Sequence, residues 1–176
     1  MARRIKQSSY HLHPVSPLLY LSKKSKTLIG WQEWCELPKL HLPAIKAKID
    51  TGAKTSAIHA YEIRPFHRHG ELFVHFIVHP LQRIRYLELH CTAPVVDHRV
   101  IMSTSGHKEL RYVIRTEICL GDIKWDIDIS LTNREPMAFR MLLGRDALRD
   151  HFVIEPGRFL IQGKFTKREI RHMYSE

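Results

Sequence analysis

The residues of this sequence best suited to chemistry are Asp50, Thr51 and Gly52, which directly follow an alternating apolar stretch. In residues 45–49 apolar and basic side chains alternate, which predicts a half-buried strand with the carboxylate at its end. Such a carboxylate can act as a positioned acid or base, the Thr51 hydroxyl can hydrogen-bond locally, and Gly52 lets a substrate approach the backbone closely. Asp-Thr-Gly is also common turn chemistry, so its interpretation depends on the rest of the chain.

A second apolar strand is predicted at residues 139–143. It ends in Gly144, Arg145 and Asp146, and a short helical stretch of about one or two turns follows it. The two strand ends lie about ninety residues apart in the chain.

Short strands separated by turn residues fill most of the remaining chain. The predicted strands after the first loop cover residues 60–66, 72–78, 84–91, 95–102, 110–120 and 123–131. The fourth and fifth form a long hairpin whose polar tip contains Ser105 and Gly106. In the sixth, odd-numbered residues point inward and even-numbered residues, including Ser130, face water. Residues 152–154 and 158–162 predict a final hairpin, and the whole pattern predicts an all-β barrel or sandwich.

Charge and length together predict one domain with two tails. The chain has 176 residues and 44% apolar content, which is enough for one core. We expect a basic, flexible leader at 1–27, a β domain at 28–164 and a charged tail at 165–176. Six basic residues and no acid lie in the first 28 residues, so most of the formal net charge of +10 lies there. Such a leader could make a weak contact with RNA.

The sequence predicts a cytoplasmic protein without a membrane segment. The N-terminus lacks the apolar core of a signal peptide, and no run approaches the roughly 18 apolar residues of a membrane span. The three cysteines, Cys35, Cys91 and Cys119, are odd in number and share no close spacing. This argues against both a disulfide framework and a cysteine-based zinc site, and favours reduced thiols.

The two strand ends and the glycine-tipped hairpin between them resemble the retropepsin-like aspartic peptidases. More narrowly, the stretch Ile-Asp-Thr-Gly-Ala-Lys-Thr-Ser-Ala-Ile-His-Ala at residues 49–60 resembles a bacterial family catalogued as ATP-dependent zinc proteases, whose members are retropepsin-like in fold. The resemblance spans roughly residues 28–164. It implies a closed acid-protease barrel with one short helix.

The resemblance also implies a mechanism that needs two copies of the chain. Aspartic peptidases use two carboxylates that share one proton. This sequence contains a single Asp-Thr-Gly and no second Asp-Thr/Ser-Gly, so the second aspartate has to come from a homodimer. In that arrangement Asp50 is catalytic, Thr51 orients the pair of aspartates, and Gly52 lets the backbone approach the bound water.

The same resemblance implies which residues bind substrate and which support the catalytic loop or the dimer. Ala53 and Lys54 in the loop, and Ser105 and Gly106 in the hairpin that closes over substrate, are expected to bind substrate. The remaining matched residues support the loop or the dimer: Gly144, Arg145 and Asp146. The last of these is also expected to cap the short helix that follows it.

Lysines around the strand end predict an acidic substrate. Lys46, Lys48 and Lys54 would favour an anionic ligand near the catalytic loop. The resembled family is associated with ATP-grasp ligases that append glutamate tails to a ribosomal protein. A glutamate-rich peptide or a poly-glutamate tail is therefore the expected substrate.

No metal and no cofactor is predicted, although the family name mentions zinc and ATP. The sequence lacks His-Glu-x-x-His and a Gly-x-x-x-x-Gly-Lys-Ser/Thr phosphate loop. His75 and His79 would lie about 13 Å apart on a strand, too far for two ligands of one metal. His67 and His69 could chelate, but surface or turn histidines are the favoured interpretation. Two alternatives stay open: a non-catalytic basic module that binds RNA or a ribosomal partner, and a metallopeptidase.

Overall fold

The computed structural model describes residues 25–82, 84, 86–102, 106 and 108–175. Most of the predicted leader and the predicted substrate-binding residue Ser105 lie outside these residues. The described part contains eleven strands: β1 (Thr27–Gly30), β2 (Gln32–Leu37), β3 (Leu42–Ile49), β4 (Ser56–His59), β5 (Tyr61–Arg68), β6 (Glu71–Val78), β7 (Leu89–Met102), β8 (Lys108–Leu120), β9 (Ile123–Thr132), β10 (Met141–Leu143) and β11 (Phe152–Glu155). Two α-helices, α1 (Arg145–Leu148) and α2 (Lys167–Met173), and a 3₁₀ turn at Pro38–Leu40 complete the secondary structure of these residues.

Six of the described strands close into a barrel. Neighbouring strands follow the order β2-β3-β10-β4-β9-β8, and pairing of β2 with β8 closes the ring. From β8 the sheet continues outward through β7, β6 and β5. This confirms the predicted all-β closed barrel, with the short helix α1 directly after β10. None of the helices in the described part of the chain is long and apolar enough to span a membrane.

Strand direction brings the two predicted loops together. β3 and β10 run parallel, with Leu143 opposite Ile49, so both strands end at the same edge of the barrel. β4 then returns antiparallel to β10, and β9 runs parallel to β4. The core beneath these strands is aliphatic, and its fully buried side chains include Ile45, Ile58, Ile129 and Met141.

The predicted alternation of β9 is wrong at Ser130. This side chain is buried, and its hydroxyl donates a hydrogen bond to the carbonyl oxygen of Ser56 on β4 at 3.0 Å. Helix α1 packs over β4 and β9, so this end of the strand is covered on both faces. A buried serine is tolerated at this position, because its hydroxyl has a hydrogen-bond acceptor.

Two further strand predictions are also wrong. The predicted strand at 84–91 starts only at Leu89, after the chain leaves β6 and passes Pro80. The predicted final hairpin does not form, because β11 pairs in parallel with β1, from Thr27 opposite Phe152 onward. The segment that follows β11 also approaches β1 closely, since a Cβ on Gly30 would lie 2.4 Å from the carbonyl oxygen of Arg158.

A buried carboxylate holds the segment after β11 in place. Glu33 is fully buried and accepts hydrogen bonds from the backbone N–H groups of Gly30 (2.7 Å), Ile161 (2.9 Å) and Gln162 (3.2 Å). Three backbone donors satisfy the carboxylate, as a buried charge requires. The segment therefore lies along β2 without forming a strand.

The predicted charged tail contains helix α2. Its first turn has a capping box, in which Thr166 and Glu169 each accept a hydrogen bond from the other's backbone N–H. Beyond the helix, the Tyr174 hydroxyl donates to the carbonyl oxygen of Ala44 at the start of β3. The tail thus packs against the barrel strand that leads to Asp50.

Candidate active site

The Asp50 carboxylate lies at the end of β3 with its two oxygens in different surroundings. Its Oδ1 accepts hydrogen bonds from the backbone N–H groups of Gly52 (3.1 Å) and Ala53 (3.3 Å). Its Oδ2 lies 3.5 Å from the Lys48 ammonium, and the side chain is 27% exposed. One oxygen is therefore fixed by the loop, while the other lies within ion-pair distance of Lys48 on a side chain that is partly exposed.

The Asp50 loop is tied to β10 and α1. The backbone N–H of Asp50 donates to Leu143 O at 2.9 Å, which continues the β3–β10 pairing by one residue. The backbone N–H of Arg145 donates to Ala53 O at 2.9 Å, and that of Asp146 donates to Lys54 O at 3.1 Å. These bonds fix the loop backbone and so the direction of the carboxylate.

The Arg145 guanidinium completes this attachment. Its Nη1 donates to the carbonyl oxygens of Thr51 (2.8 Å) and Gly52 (3.0 Å). In this position the guanidinium holds the backbone of the Asp50 loop. Since Nη1 carries two hydrogens, this one nitrogen can donate to both neighbouring carbonyl oxygens.

Gly144 permits the close approach between the two loops. A Cβ at this position would lie 2.7 Å from Lys54 O and 2.7 Å from the carbonyl carbon of Thr55, both of which are backbone atoms. The Gly144 N–H donates to the buried Ser56 hydroxyl at 3.2 Å. A glycine is therefore needed for packing, independently of its backbone conformation.

Asp146 does not cap α1, so that prediction is wrong. Gly144 occupies the N-cap position and no side chain accepts a hydrogen bond there, because the helix starts two residues earlier than expected. Asp146 instead lies in the first turn, and its carboxylate is 3.8 Å from the Arg149 guanidinium. A carboxylate in the first turn is still favourable to the helix dipole.

The predicted hairpin forms from β7 and β8. Its pairing extends to Met102 opposite Lys108, and Gly106 lies at the tip with φ +81°, a conformation that favours glycine. In the loop after β3, Ala53 is half-buried and Lys54 is exposed. The roles of these residues toward a substrate stay predictions.

Arg134 is a residue near the site that sequence reasoning missed. It lies two residues after β9, where its backbone N–H donates to His59 Nδ1 (3.1 Å) and its Nε donates to Phe139 O (3.2 Å). Burial lowers the pKa of Arg134, Arg111 lowers it further, and the negative charge of Asp50 opposes both. No periodic pattern marks this turn, so only the fold reveals its position.

The buried His59 and His79 and the half-buried Glu135 form a cluster whose candidate ligand atoms lie within 4.8 Å of one another. Of the two histidines, His79 has the surroundings that suit a metal ligand better. Its Nε2 contacts the Tyr61 hydroxyl (3.1 Å) and the Glu88 carboxylate (3.3 Å), while its Nδ1 is buried without a partner. Two histidines and a carboxylate are a donor set that zinc accepts.

The protonation of His59 does not fit a metal at this cluster. Because its Nδ1 accepts the Arg134 N–H, the neutral ring carries its proton on Nε2. A metal could therefore bind His59 only if Nδ1 lost this hydrogen bond or Nε2 lost its proton. Burial, and then the nearby Arg140 guanidinium, lower the pKa of His59 to about 4. A cation already lies beside the cluster, which disfavours a second one.

The sequence of residues 28–165 matches the model of the RimB-like family, described as the retropepsin-like aspartic endopeptidase RimB. The chain belongs to this family. The match covers the barrel, the Asp50 loop, α1 and the hairpin, and confirms the resemblance found in the sequence.

Relatives and a solved structure extend this finding. A protein of Desulfotalea psychrophila named probable alpha-L-glutamate ligase is 46% identical over 152 residues, which cover 86% of this chain and 33% of that relative. A protein of Shewanella pealeana with the same name is 45% identical over 150 residues, 85% of this chain and 33% of the relative. The chain thus spans about a third of the length of these relatives. A crystal structure of a protein of unknown function from Legionella pneumophila superposes with a TM-score of 0.64 and 27% identity, covering 78% of this chain and 99% of that one.

Proposed function

We propose that this chain is an aspartic-type peptidase that hydrolyses peptide bonds with a water activated by two Asp50 carboxylates, one from each subunit of a homodimer. The observation that carries the proposal is the arrangement of Asp50 itself. Backbone N–H groups of its own loop hold one oxygen, and the other oxygen faces the Lys48 ammonium on a side chain that is 27% exposed. The family match makes the barrel around it that of a retropepsin-like endopeptidase.

The chemistry requires the two carboxylates to share a proton. Two like charges about 3 Å apart do not both ionise, so one carboxyl group stays protonated and polarises the scissile carbonyl. The other deprotonates the attacking water, and the apparent pKa values belong to the pair. Arg145 and the backbone bonds from α1 would keep each loop in place while the proton moves.

An exposed aromatic patch beside Asp50 supports a second copy as the partner. Trp31 is 38% exposed and Phe159 is 50% exposed, and their rings pack edge-on with centroids 6.4 Å apart. The Trp31 carbonyl oxygen accepts the Ile49 N–H at 2.9 Å, directly next to Asp50. Burial of this patch against its own copy would be favourable.

Cations around the loop support an acidic substrate. Lys48 lies 3.5 Å from the Asp50 carboxylate and Lys54 is exposed in the same loop. Lys46 is directed elsewhere, with its ammonium 4.9 Å from the centroid of the Trp34 ring. Relatives named glutamate ligases add a second reason to propose a glutamate-rich peptide or a poly-glutamate tail as the substrate.

The proposal is tested by incubating the protein with poly-α-glutamate and with casein. Wild type should cleave the glutamate polymer, and Asp50→Asn should not, because an amide cannot take the proton from water. Asp122→Asn is the matched control, since Asp122 is exposed in the turn before β9, and it should cleave like wild type. Equal cleavage by wild type and Asp50→Asn would rule out the aspartic mechanism, and cleavage of casein alone would rule out the acidic substrate.

A second measurement addresses the non-catalytic alternative. Size-exclusion chromatography at high micromolar concentration should give a dimer, because one Asp50 cannot form the pair by itself. A stable monomer without peptidase activity would favour a binding module that contacts RNA through the basic leader.

A further inference from the structure

The turn after β9 presents an arginine whose terminal donors are available to a ligand. We infer that the Arg134 guanidinium binds the side-chain carboxylate of a substrate glutamate next to the scissile bond. This inference rests on the proposed peptidase function and assigns its selectivity for glutamate to one residue.

The position of Arg134 is fixed before substrate arrives. Its backbone N–H donates to the Nδ1 of the fully buried His59 on β4, and its Nε donates to Phe139 O. Nη1 and Nη2 have no hydrogen-bond partner among the described residues, so both remain for a ligand. Because Nε is already held by Phe139 O, the guanidinium loses little conformational entropy when it binds a carboxylate.

The charge of Arg134 also lacks a counter-ion close by. In the described part of the chain, no carboxylate oxygen lies within 4.0 Å of its guanidinium, although the residue is half-buried. Its neighbour Arg111 is paired with Glu109 at 2.7 Å, and Arg115 farther along β8 is paired with Asp128 at 2.7 Å. A half-buried cation without such a partner gains most from an incoming carboxylate.

A short chain of contacts connects Arg134 with the catalytic loop. Phe139, whose carbonyl oxygen accepts from Arg134, packs its ring edge-on against Trp31 with centroids 5.8 Å apart. The Trp31 carbonyl oxygen in turn accepts the N–H of Ile49, the residue before Asp50. The charges of Asp50 and Arg111 both act on the pKa of Arg134, which agrees with this placement.

Bidentate geometry explains why the ligand is a glutamate side chain. Two parallel N–H groups of a guanidinium match the two oxygens of a carboxylate, and hydrogen bonds to a charged partner are stronger than neutral ones. A glutamine amide offers one acceptor and places its NH₂ group against a donor. The site should therefore discriminate between glutamate and glutamine at one substrate position.

The experiment compares cleavage of paired peptides that differ only by glutamate or glutamine at each position around the scissile bond. Arg134→Gln should lower kcat/KM for the glutamate peptide about ten- to a hundredfold and change the glutamine peptide less than about threefold. The loss should appear mainly in KM. Arg134→Lys, which keeps the charge without the fork, should retain an intermediate preference for glutamate. Arg68→Gln is the control, since Arg68 is exposed on β5 far along the sheet.

Binding measured without catalysis separates this inference from the proposed function. In an Asp50→Asn background, fluorescence anisotropy should show tighter binding of the glutamate peptide, and adding Arg134→Gln should abolish the difference. If wild type cleaves nothing but this difference is present, the peptidase proposal fails and the binding site stands.

Two results would overturn the inference. Equal loss on both peptides, together with a shifted pH profile, would make Arg134 a counter-ion of the aspartates. Unchanged selectivity in a variant with a native circular dichroism spectrum would assign the preference for glutamate to other residues.

Discussion

Replacing His59 with glutamine should remove a large part of the dependence of stability on acid pH. His59 is fully buried and its Nδ1 must stay unprotonated to accept the Arg134 N–H. Burial, with the Arg140 guanidinium as the second cause, lowers its pKa from 6.5 to about 4. A glutamine side-chain oxygen can accept the same hydrogen bond without titrating.

The sign and size follow from the two pKa values. Since the folded-state pKa lies below the unfolded one, the unfolded chain binds more protons between pH 4 and 6.5, and stability rises with pH in that window. The stabilisation is complete above the unfolded pKa and is lost as the pH falls through about 4. The difference between the two values corresponds to a stabilisation on the order of 3 kcal/mol for this one buried group.

The assay is urea unfolding of wild type and His59→Gln from pH 4 to 8 at one fixed protein concentration, because a dimer's stability depends on concentration. The free energy of unfolding of wild type should fall more steeply toward pH 4 than that of His59→Gln. Exposed His67 provides the control: His67→Gln should keep the wild-type slope. Parallel curves for wild type and His59→Gln would refute the assignment of a lowered pKa to His59.

Three substitutions test the packing of the catalytic loop and the buried hydrogen bonds of the barrel. Gly144→Ala should lower peptidase activity more than tenfold, because its Cβ would lie 2.7 Å from Lys54 O and displace the loop; unchanged kcat/KM would contradict this. Ser56→Ala should lower the free energy of unfolding by about 1–3 kcal/mol in urea titrations, since it leaves the buried Gly144 N–H without an acceptor. Glu33→Ala should cost about 3–5 kcal/mol in the same titration, because three backbone N–H groups lose their partner, and a loss below about 1 kcal/mol would argue against the buried carboxylate.

Local chemistry in the sequence predicted the parts of the site that one stretch of chain contains. The Asp50 loop and the strand that ends at Gly144 follow from alternation, a glycine and a carboxylate within a few residues. Arg134 and His59 meet only because β4 and β9 pair in parallel, and no pattern within either segment encodes that pairing.

The errors have the same physical origin. The segment after β11 has the turn chemistry of a hairpin, but the three hydrogen bonds to buried Glu33 hold it beside β2 instead. Ser130 follows the polar side of an alternating strand, yet helix α1 covers that side. Both outcomes depend on contacts between distant parts of the chain, which override local preference.

Mixing active and inactive subunits tests the shared active site most directly. Wild type and Asp50→Asn are unfolded together in varying proportions, refolded at fixed total concentration, and assayed on poly-α-glutamate. If each site needs Asp50 from both subunits, an equal mixture forms only about one quarter wild-type dimers, and activity follows the square of the wild-type fraction. Activity that falls in direct proportion to the wild-type fraction would show that each chain carries a complete site and would contradict the account.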